Sequence, residues 1–469
     1  MEERSLTFVI GAVGAELKAG TAEGIAKNIC TDSRRVKPGD LFFAIPGEKF
    51  DGHDFLAQAA AGGAVAVVGE KSRLEAGKFR PPSDCAVLAV DDVRVALGRL
   101  AAAYRRQFSP KVTAVGGSNG KTTTKELIAS VLRQKLPTLW SEASFNNDIG
   151  VPATLLRLEK SHQAAVVEAG TNHPGELAPL IRMIQPDYGV MTNIGREHLE
   201  FFGDTAGVAR EEGWLAELLP AEGTLFLNGD SPAAEAVATR TRARIVRAGL
   251  GENNDWRATK VRLDKNGATF QVAAPRAEYS GEYRINLLGR HQVVNALLAI
   301  GSGEEHGLGR AEIQRGLAEC QPPKMRMQFW EAGGVRVLDD CYNANADSML
   351  AALETLCDLP LQGRRVAVLG DMAELGSHSE AAHEEVGRRA AELKIGQLFT
   401  VGNNSALIAR AARNAGLTRV IEFENVEAGV RAVKNFLKPG DVVLLKASRS
   451  SRLERIAETL RSENPKFQT

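Results

Sequence analysis

Short apolar runs separated by amphipathic stretches recur along this chain, and that alternation predicts mostly parallel strands covered by helices. Residues 40–45, 64–68 and 86–90 are apolar enough for buried strands, and residues 93–107 carry a helical spacing. Ser109-Pro110 interrupts the pattern. Residues 111–115 (KVTAV) then predict a β-branched strand, and residues 124–135 a helix with Leu127, Ile128, Val131 and Leu132 on one face. Runs at 164–167 and 188–191 continue the alternation. Beyond Gln321-Pro322-Pro323, runs at 365–369, 398–401, 419–423 and 441–445 alternate with helical segments, which predicts a second α/β unit of Rossmann-like character. The two proline breaks divide the chain into residues 1–109, 110–321 and 322–469, and this length suits about three domains. The fold class is α/β in all three, with the first domain the smallest. No internal repeat or low-complexity tract stands out.

Residues 6–15 (LTFVIGAVGA) follow Arg4 and end in Val13-Gly14-Ala15, which mimics a signal-peptide cleavage site. Glu2 and Glu3 make the leading segment acidic, and Glu16 and Lys18 continue a helical pattern, so an ordinary helix running through them is expected instead. No apolar run approaches the length that crosses a bilayer, so no membrane insertion is expected.

Composition narrows the partners. The formal net charge is zero with 25% charged residues, which gives no basic surface for nucleic acid and no acidic tail. Small-molecule partners fit better. Cys30, Cys85, Cys320, Cys341 and Cys357 are odd in number and scattered without Cys-x-x-Cys spacing, as expected of reduced thiols in a cytoplasmic protein.

The segment AVGGSNGKTTTK (114–125) carries the clearest chemistry. Between a strand and a helix, its glycines would let the backbone approach phosphates, and the open amides and positive helix end would attract them. Lys121 would reach the outermost phosphates and the Thr122 hydroxyl a magnesium ion. The strict motif wants a glycine where Val115 stands, so the loop is a variant; the alternative is a tight strand-to-helix turn, which would need no Lys121 followed by three threonines. Two further strand ends add candidates, because parallel sheets place ligands there. Glu168 closes AVVEAG, and Asn193 and His198 follow the run at 188–191. Glu168 would hold the metal touched by Thr122, and His198 a second one; the alternatives are an exposed loop carboxylate and a surface or helix-capping histidine. SFNNDIGVP (144–152) gathers Asn146, Asn147 and Asp148 in what is otherwise a turn signal.

In order along the chain, GGSNGKTTTK, NNDIGVP, VVEAG, TNIGREHLE, GRHQVVNALLA and DDCYNANADSM resemble the motifs of the Mur ligases, the ATP-dependent amide-forming enzymes of peptidoglycan precursor synthesis. DDCYNANADSM (339–349) and LGDMAELG (369–376) look like the branch that adds D-alanyl-D-alanine to UDP-N-acetylmuramoyl-tripeptide. The resemblance implies a UDP-substrate domain (1–109), a central P-loop ATPase domain (110–321) and a mobile carboxy-terminal ligase domain (322–469). It assigns Gly117, Ser118, Asn119, Gly120, Lys121, Thr122, Thr123, Asn295, Arg326 and Asp340 to ATP. Thr31, Asp32, Ser33, Arg34, Lys49, Asp51, His53, Asn146, Asn147 and Asn172 fall to the UDP substrate. Tyr342, Asn343, Asn345, Asp371, Glu374, Lys446, Ser448 and Arg449 fall to the incoming dipeptide. Read without the resemblance, Asn295 is a helix-surface amide, Arg326 a solvated charge, and Asp371 with Glu374 a helix N-cap and its reciprocal acidic partner. Lys446, Ser448 and Arg449 follow a strand, where cations suit a substrate carboxylate.

The implied cofactors are ATP and two magnesium ions, on Thr122 and Glu168 and at His198, in a monomer. The implied catalytic residues are Lys121, Glu168, His198 and Glu212. Glu212 marks a departure: most family members place a lysine there, whose carbamate helps hold the second metal region. No lysine occurs from residue 161 to 259, which excludes a carbamylated lysine from this segment. Glu212 would supply a permanent carboxylate, about 3 to 4 Å short of the carbamate's reach, with a water or a shifted helix bridging the gap; otherwise it is simply solvated. The competing readings are the sister ligase that adds the third amino acid, a folylpolyglutamate synthetase and a catalytically silent nucleotide-binding protein.

Overall fold

The structure, a computed structural model, describes residues 1–76, 82 and 84–462. It divides into two compact units, residues 1–114, 136–171 and 176–187 in the first, and residues 115–135, 172–175 and 188–469 in the second.

The first unit opens with helix Leu6–Val13, capped by the Ser5 hydroxyl and ended by Gly14 in the left-handed region (φ 68°). That glycine stops the helix. The expected continuation through Glu16 and Lys18 is therefore wrong: Glu16–Ala19 is a strand paired antiparallel with Ala86–Val90. From there the sheet continues through Ala66–Glu70, Asp40–Phe43 and Asn28–Cys30, all parallel. Phe42, Leu56, Val67 and Val87 fill its core. Helix Val93–Arg105 buries Leu97, Leu100 and Tyr104, and the Tyr104 hydroxyl donates to the Leu158 carbonyl at 2.7 Å. The same unit holds the parallel strands Thr138–Trp140 and Ala164–Glu168, which leads Glu168 to a strand end.

In the second unit, strands Tyr188–Met191, Thr224–Asn228, Arg244–Gly249 and Trp256–Asp264 lie side by side in parallel. Two antiparallel strands, Gly267–Ala273 and Gly281–Ile285, extend them. Helix Lys121–Leu132 begins directly after Gly120, three residues earlier than its apolar spacing predicts. It packs on His291–Glu305 and Arg310–Glu319. A six-stranded sheet follows in the order Gln328–Ala332, Val335–Asp340, Val442–Lys446, Arg365–Gly370, Gln397–Val401, Val420–Phe423, parallel except for its first pair. Its central strands are buried on both faces, with Val366, Val368, Val443 and Leu445 at 1% exposure or less, which is why they read as unbroken apolar runs.

Candidate active site

The phosphate loop owes its shape to two glycines. Gly117 has φ 112°, and a Cβ there would sit 2.5 Å from Thr192 Oγ1 and 2.7 Å from the Asn193 carbonyl. Gly120 has φ 84° and would meet Asn295 Oδ1 at 2.9 Å. Neither position tolerates a side chain. Segment 192–198 supports the loop from the next strand end. The Ser118 amide donates to the Asn193 carbonyl at 2.8 Å, the Asn119 amide to Asn193 Oδ1 at 2.7 Å, and the Gly195 amide to Ser118 Oγ at 2.8 Å. Thr122 and Thr123 lie buried in the first helical turn at 3% and 4% exposure. Lys121 Nζ donates to the Gly117 carbonyl at 2.5 Å and lies 3.4 Å from Glu197 Oε2.

Glu212 is fully buried, which disposes of the solvated reading. Its Oε2 accepts the Gly117 amide at 2.7 Å, so it pins the phosphate loop directly with no helix shift or bridging water. Burial pushes its carboxyl up to about 7; Lys121 pulls it down, Glu197 pushes it further up, and the Gly117 amide pulls it down. Glu197 escaped the sequence reading. It stands beside the expected His198, and a carboxylate adjoining a candidate ligand was the signal.

The loop and segment 192–198 also meet the helices and loops that flank the carboxy-terminal sheet. Asn345 Nδ2 donates to Asn119 Oδ1 at 3.0 Å, and Asn345 caps helix Ala346–Asp358 through the Ser348 amide. Asp347, in that helix's first turn, accepts from the Arg196 amide and from Arg196 Nε, both at 2.8 Å, and Arg196 Nη1 reaches Glu385 Oε2 at 2.5 Å. His198 Nδ1 is 2.5 Å from Glu374 Oε2, and this hydrogen bond holds the Glu374 carboxyl below its ordinary value.

Several expectations need correction. Asp371 and Glu374 do not form a reciprocal cap. Asp371 Oδ1 accepts the Ser405 amide at 2.6 Å, at the start of helix Ser405–Asn414, while Glu374 turns to His198. Lys446 is no open strand-end cation: its side chain is 2% exposed and Nζ binds Asp340 Oδ2 at 2.6 Å and the Asn343 carbonyl at 3.0 Å. Asp340 also accepts the Met327 amide at 3.0 Å. Asn295 is buried rather than on a helix surface, bonding Gln292 Oε1 at 2.8 Å. Arg326 is not merely solvated; it stacks on the Tyr342 ring with its guanidinium carbon 4.0 Å from the centroid. Ser448 is buried, accepting the Ala373 amide at 2.9 Å, and Arg449 stays exposed.

In the first unit, Asn146 Nδ2 donates to Glu168 Oε1 at 2.9 Å, and Glu168 is 1% exposed, so the loop-carboxylate reading fails. Asn147 Oδ1 accepts the Ile149 and Gly150 amides at 3.2 and 2.9 Å in the turn that leads into helix Gly150–Leu155. Asp32 caps the short helix Ser33–Arg35 and pairs with Arg34, while the Ser33 hydroxyl lies 3.0 Å from Gln58 Oε1. Asp51 caps Gly52–Phe55. His53 spends both ring nitrogens internally, with Nδ1 on Asp51 at 2.6 Å and Nε2 accepting the Glu70 amide at 2.9 Å. Lys49 and Thr31 project outward, as does Asn172 in the second unit.

Among the described residues no three or more His, Cys, Asp or Glu side chains are grouped as a metal cage. Magnesium needs none, since it takes one or two carboxylates together with waters and substrate phosphates. Glu197 Oε1 is buried with no hydrogen-bond partner, a hard oxygen donor of the kind that suits a cation. All five cysteines are free, and among the described residues no helix is long and apolar enough to cross a membrane.

Three stretches match family descriptions: residues 26–105 the Mur ligase family catalytic domain, 115–303 the Mur ligase middle domain, and 325–449 the Mur ligase glutamate ligase domain. The UDP-N-acetylmuramoyl-tripeptide–D-alanyl-D-alanine ligase of Bacillus subtilis (strain 168) is 34% identical, covering 95% of this chain and 97% of the relative. A crystal structure of MurF from Acinetobacter baumannii superposes with a TM-score of 0.88 at 33% identity, covering 98% of this chain and 99% of that one. The MurF ligase of Thermotoga maritima, solved in complex with ADP, superposes with a TM-score of 0.81 at 26% identity, covering 93% and 97%. Matched along nearly its whole length in sequence and in structure, the chain belongs to the Mur ligase family.

Proposed function

We propose that this enzyme joins D-alanyl-D-alanine to UDP-N-acetylmuramoyl-tripeptide at the expense of ATP, completing the pentapeptide precursor of peptidoglycan. The observation that carries the reading is the 3.0 Å bond between Asn119 of the phosphate loop and Asn345 of the NADSM segment. It ties the nucleotide-binding turn to the motif that distinguishes the dipeptide-adding branch. The γ-phosphoryl group passes from ATP to the terminal carboxylate of the tripeptide, breaking the bond to ADP. The dipeptide amine then attacks the acyl carbon, the carbon–oxygen bond to phosphate breaks, and phosphate and a proton leave.

Phosphoryl transfer asks a protein for positioning and charge neutralisation more than covalent help. Lys121 leaves its carbonyl contacts to meet the β and γ phosphates, and the backbone amides at the start of helix Lys121–Leu132 bind them, while the Gly117, Ser118 and Asn119 amides, spent on Glu212 and Asn193, hold the shape of the loop. Thr122, Glu168 and His198 are the proposed magnesium ligands. The metal, when bound, offsets phosphate charge and polarises the substrate carboxylate. Thr31, Arg34, Lys49, Asn146 and Asn172 are proposed for the nucleotide-sugar, and Tyr342, Arg449 and Glu374 for the dipeptide. The enzyme is proposed to act as a cytoplasmic monomer with domains at 1–109, 110–321 and 322–469.

Phosphate release is the test, measured with the muramoyl dipeptide and tripeptide nucleotides, each with and without D-alanyl-D-alanine. Release that needs both tripeptide and dipeptide is expected. Release driven by a third amino acid on the muramoyl dipeptide, or none with any acceptor, would overturn the reading.

A further inference from the structure

Glu197 stands between the two groups on which the reaction centre is built. Its Oε2 lies 3.4 Å from Lys121 Nζ and 3.9 Å from His198 Nε2, and its side chain is 7% exposed. Its Oε1 is buried with no hydrogen-bond partner. A buried carboxylate oxygen left without a donor marks a place where a cation, a water or a substrate group belongs. Here the surroundings select among these. Lys121 is the phosphate-contacting lysine, His198 has its Nδ1 committed to Glu374 and its Nε2 turned towards Glu197, and hard oxygen donors of this kind suit magnesium.

Glu212 occupies the position of the family's lysine but has a different local task. Its Oε2 is spent on the Gly117 amide at 2.7 Å, and its side chain is too short to reach as far as a carbamylated lysine. The carboxylate missing from helix Thr205–Glu212 has a counterpart one residue before His198.

We propose that Glu197 supplies the metal-facing carboxylate of this ligase together with His198, and that Glu212 is a positioning residue for the phosphate loop. The proposal rests on the ligase reading above. In this arrangement one carboxylate does the work of a carbamate without carbon dioxide, and the loop gains a second anchor from the helix that would otherwise carry the modified lysine.

The test compares wild type, Glu197→Gln and Glu212→Gln in three measurements: thermal melting without ligand, magnesium affinity read from ADP-dependent melting shifts, and ligase turnover with and without bicarbonate. Glu197→Gln is expected to melt as wild type does, to bind magnesium at least tenfold more weakly in the presence of ADP, and to lose at least a hundredfold in kcat. Glu212→Gln is expected to keep its magnesium affinity and to raise KM for ATP. Wild-type turnover is expected to ignore bicarbonate. Should Glu197→Gln fold poorly, Glu197→Asp, which keeps the charge but withdraws it by one methylene, carries the same comparison. Loss of magnesium affinity in Glu212→Gln, undiminished affinity in the Glu197 variants, or stimulation of wild type by bicarbonate would each overturn the assignment. The ADP and magnesium titration needs no acceptor, so it reads Glu197 even if phosphate release were to reject the ligase reading.

Discussion

Replacing Glu212 with glutamine removes an ionisable group from a fully buried position while keeping an oxygen for the Gly117 amide. Its carboxyl titrates at about 7 in the folded chain against 4.5 for the unperturbed group, with burial as the main cause. The folded state therefore holds this proton more tightly than the unfolded one. The stability it contributes is complete below pH 4.5 and is lost as pH rises through 7. At about 1.4 kcal/mol per pH unit, wild type loses about 2.5 kcal/mol relative to Glu212→Gln between pH 5 and pH 8. No discount for solvent screening applies, because the side chain is 0% exposed. Urea unfolding of both proteins across that range, followed at the transition of the phosphate-loop unit, gives the difference, in which every titrating group that does not interact with Glu212 cancels. The gap is expected to widen in favour of the glutamine variant as pH rises. Parallel stability curves would refute the reasoning, since they would mean that Glu212 keeps the same protonation in the folded and unfolded chains.

Two further outcomes follow from paired charges. Lys446→Met removes the partner of Asp340 at a 2% exposed position and is expected to cost about 3 kcal/mol, the low end for a broken buried pair because Asp340 keeps 17% exposure; denaturant midpoints check it, and Lys446→Met with Asp340→Asn, which removes the charge but keeps an acceptor for the Met327 amide, should recover most of the loss. Arg196→Ala cuts the contacts to Asp347 and Glu385 and is expected to lower kcat about tenfold and to raise KM for ATP and for D-alanyl-D-alanine together. Arg196→Lys, which keeps a cation between Asp347 and Glu385, should retain part of the turnover, and steady-state kinetics with D-alanyl-D-alanine varied would show whether it does.

The layered α/β organisation was legible because buried parallel strands must be apolar on both faces, so runs such as 188–191 and 441–445 announce themselves. The phosphate loop was legible because backbone approach to phosphates demands glycines and a lysine at fixed spacing. Contacts closed over long sequence distances were not. Lys446 and Asp340 are 106 residues apart, and nothing local to either tells a substrate cation from a buried partner. Asp371 carries a capping signature, but a cap needs only an amide in reach, and the one it finds is Ser405. The antiparallel extension at 267–285 was within reach, since Asn266-Gly267 is a hairpin signal between alternating segments.

Segment 192–198 holds the phosphate loop through Asn193 and Gly195, grips two carboxy-terminal helices through Arg196 and meets Glu374 through His198. Its two sets of partners share one short backbone, so a shift on either side is felt on the other within a few bonds. Selection acting on acceptor preference in this enzyme must therefore work through residues elsewhere, because a change within this strip would detune the nucleotide at the same time. A small molecule wedged between Arg196 and helix Ala346–Asp358 would be expected to antagonise both substrates while resembling neither.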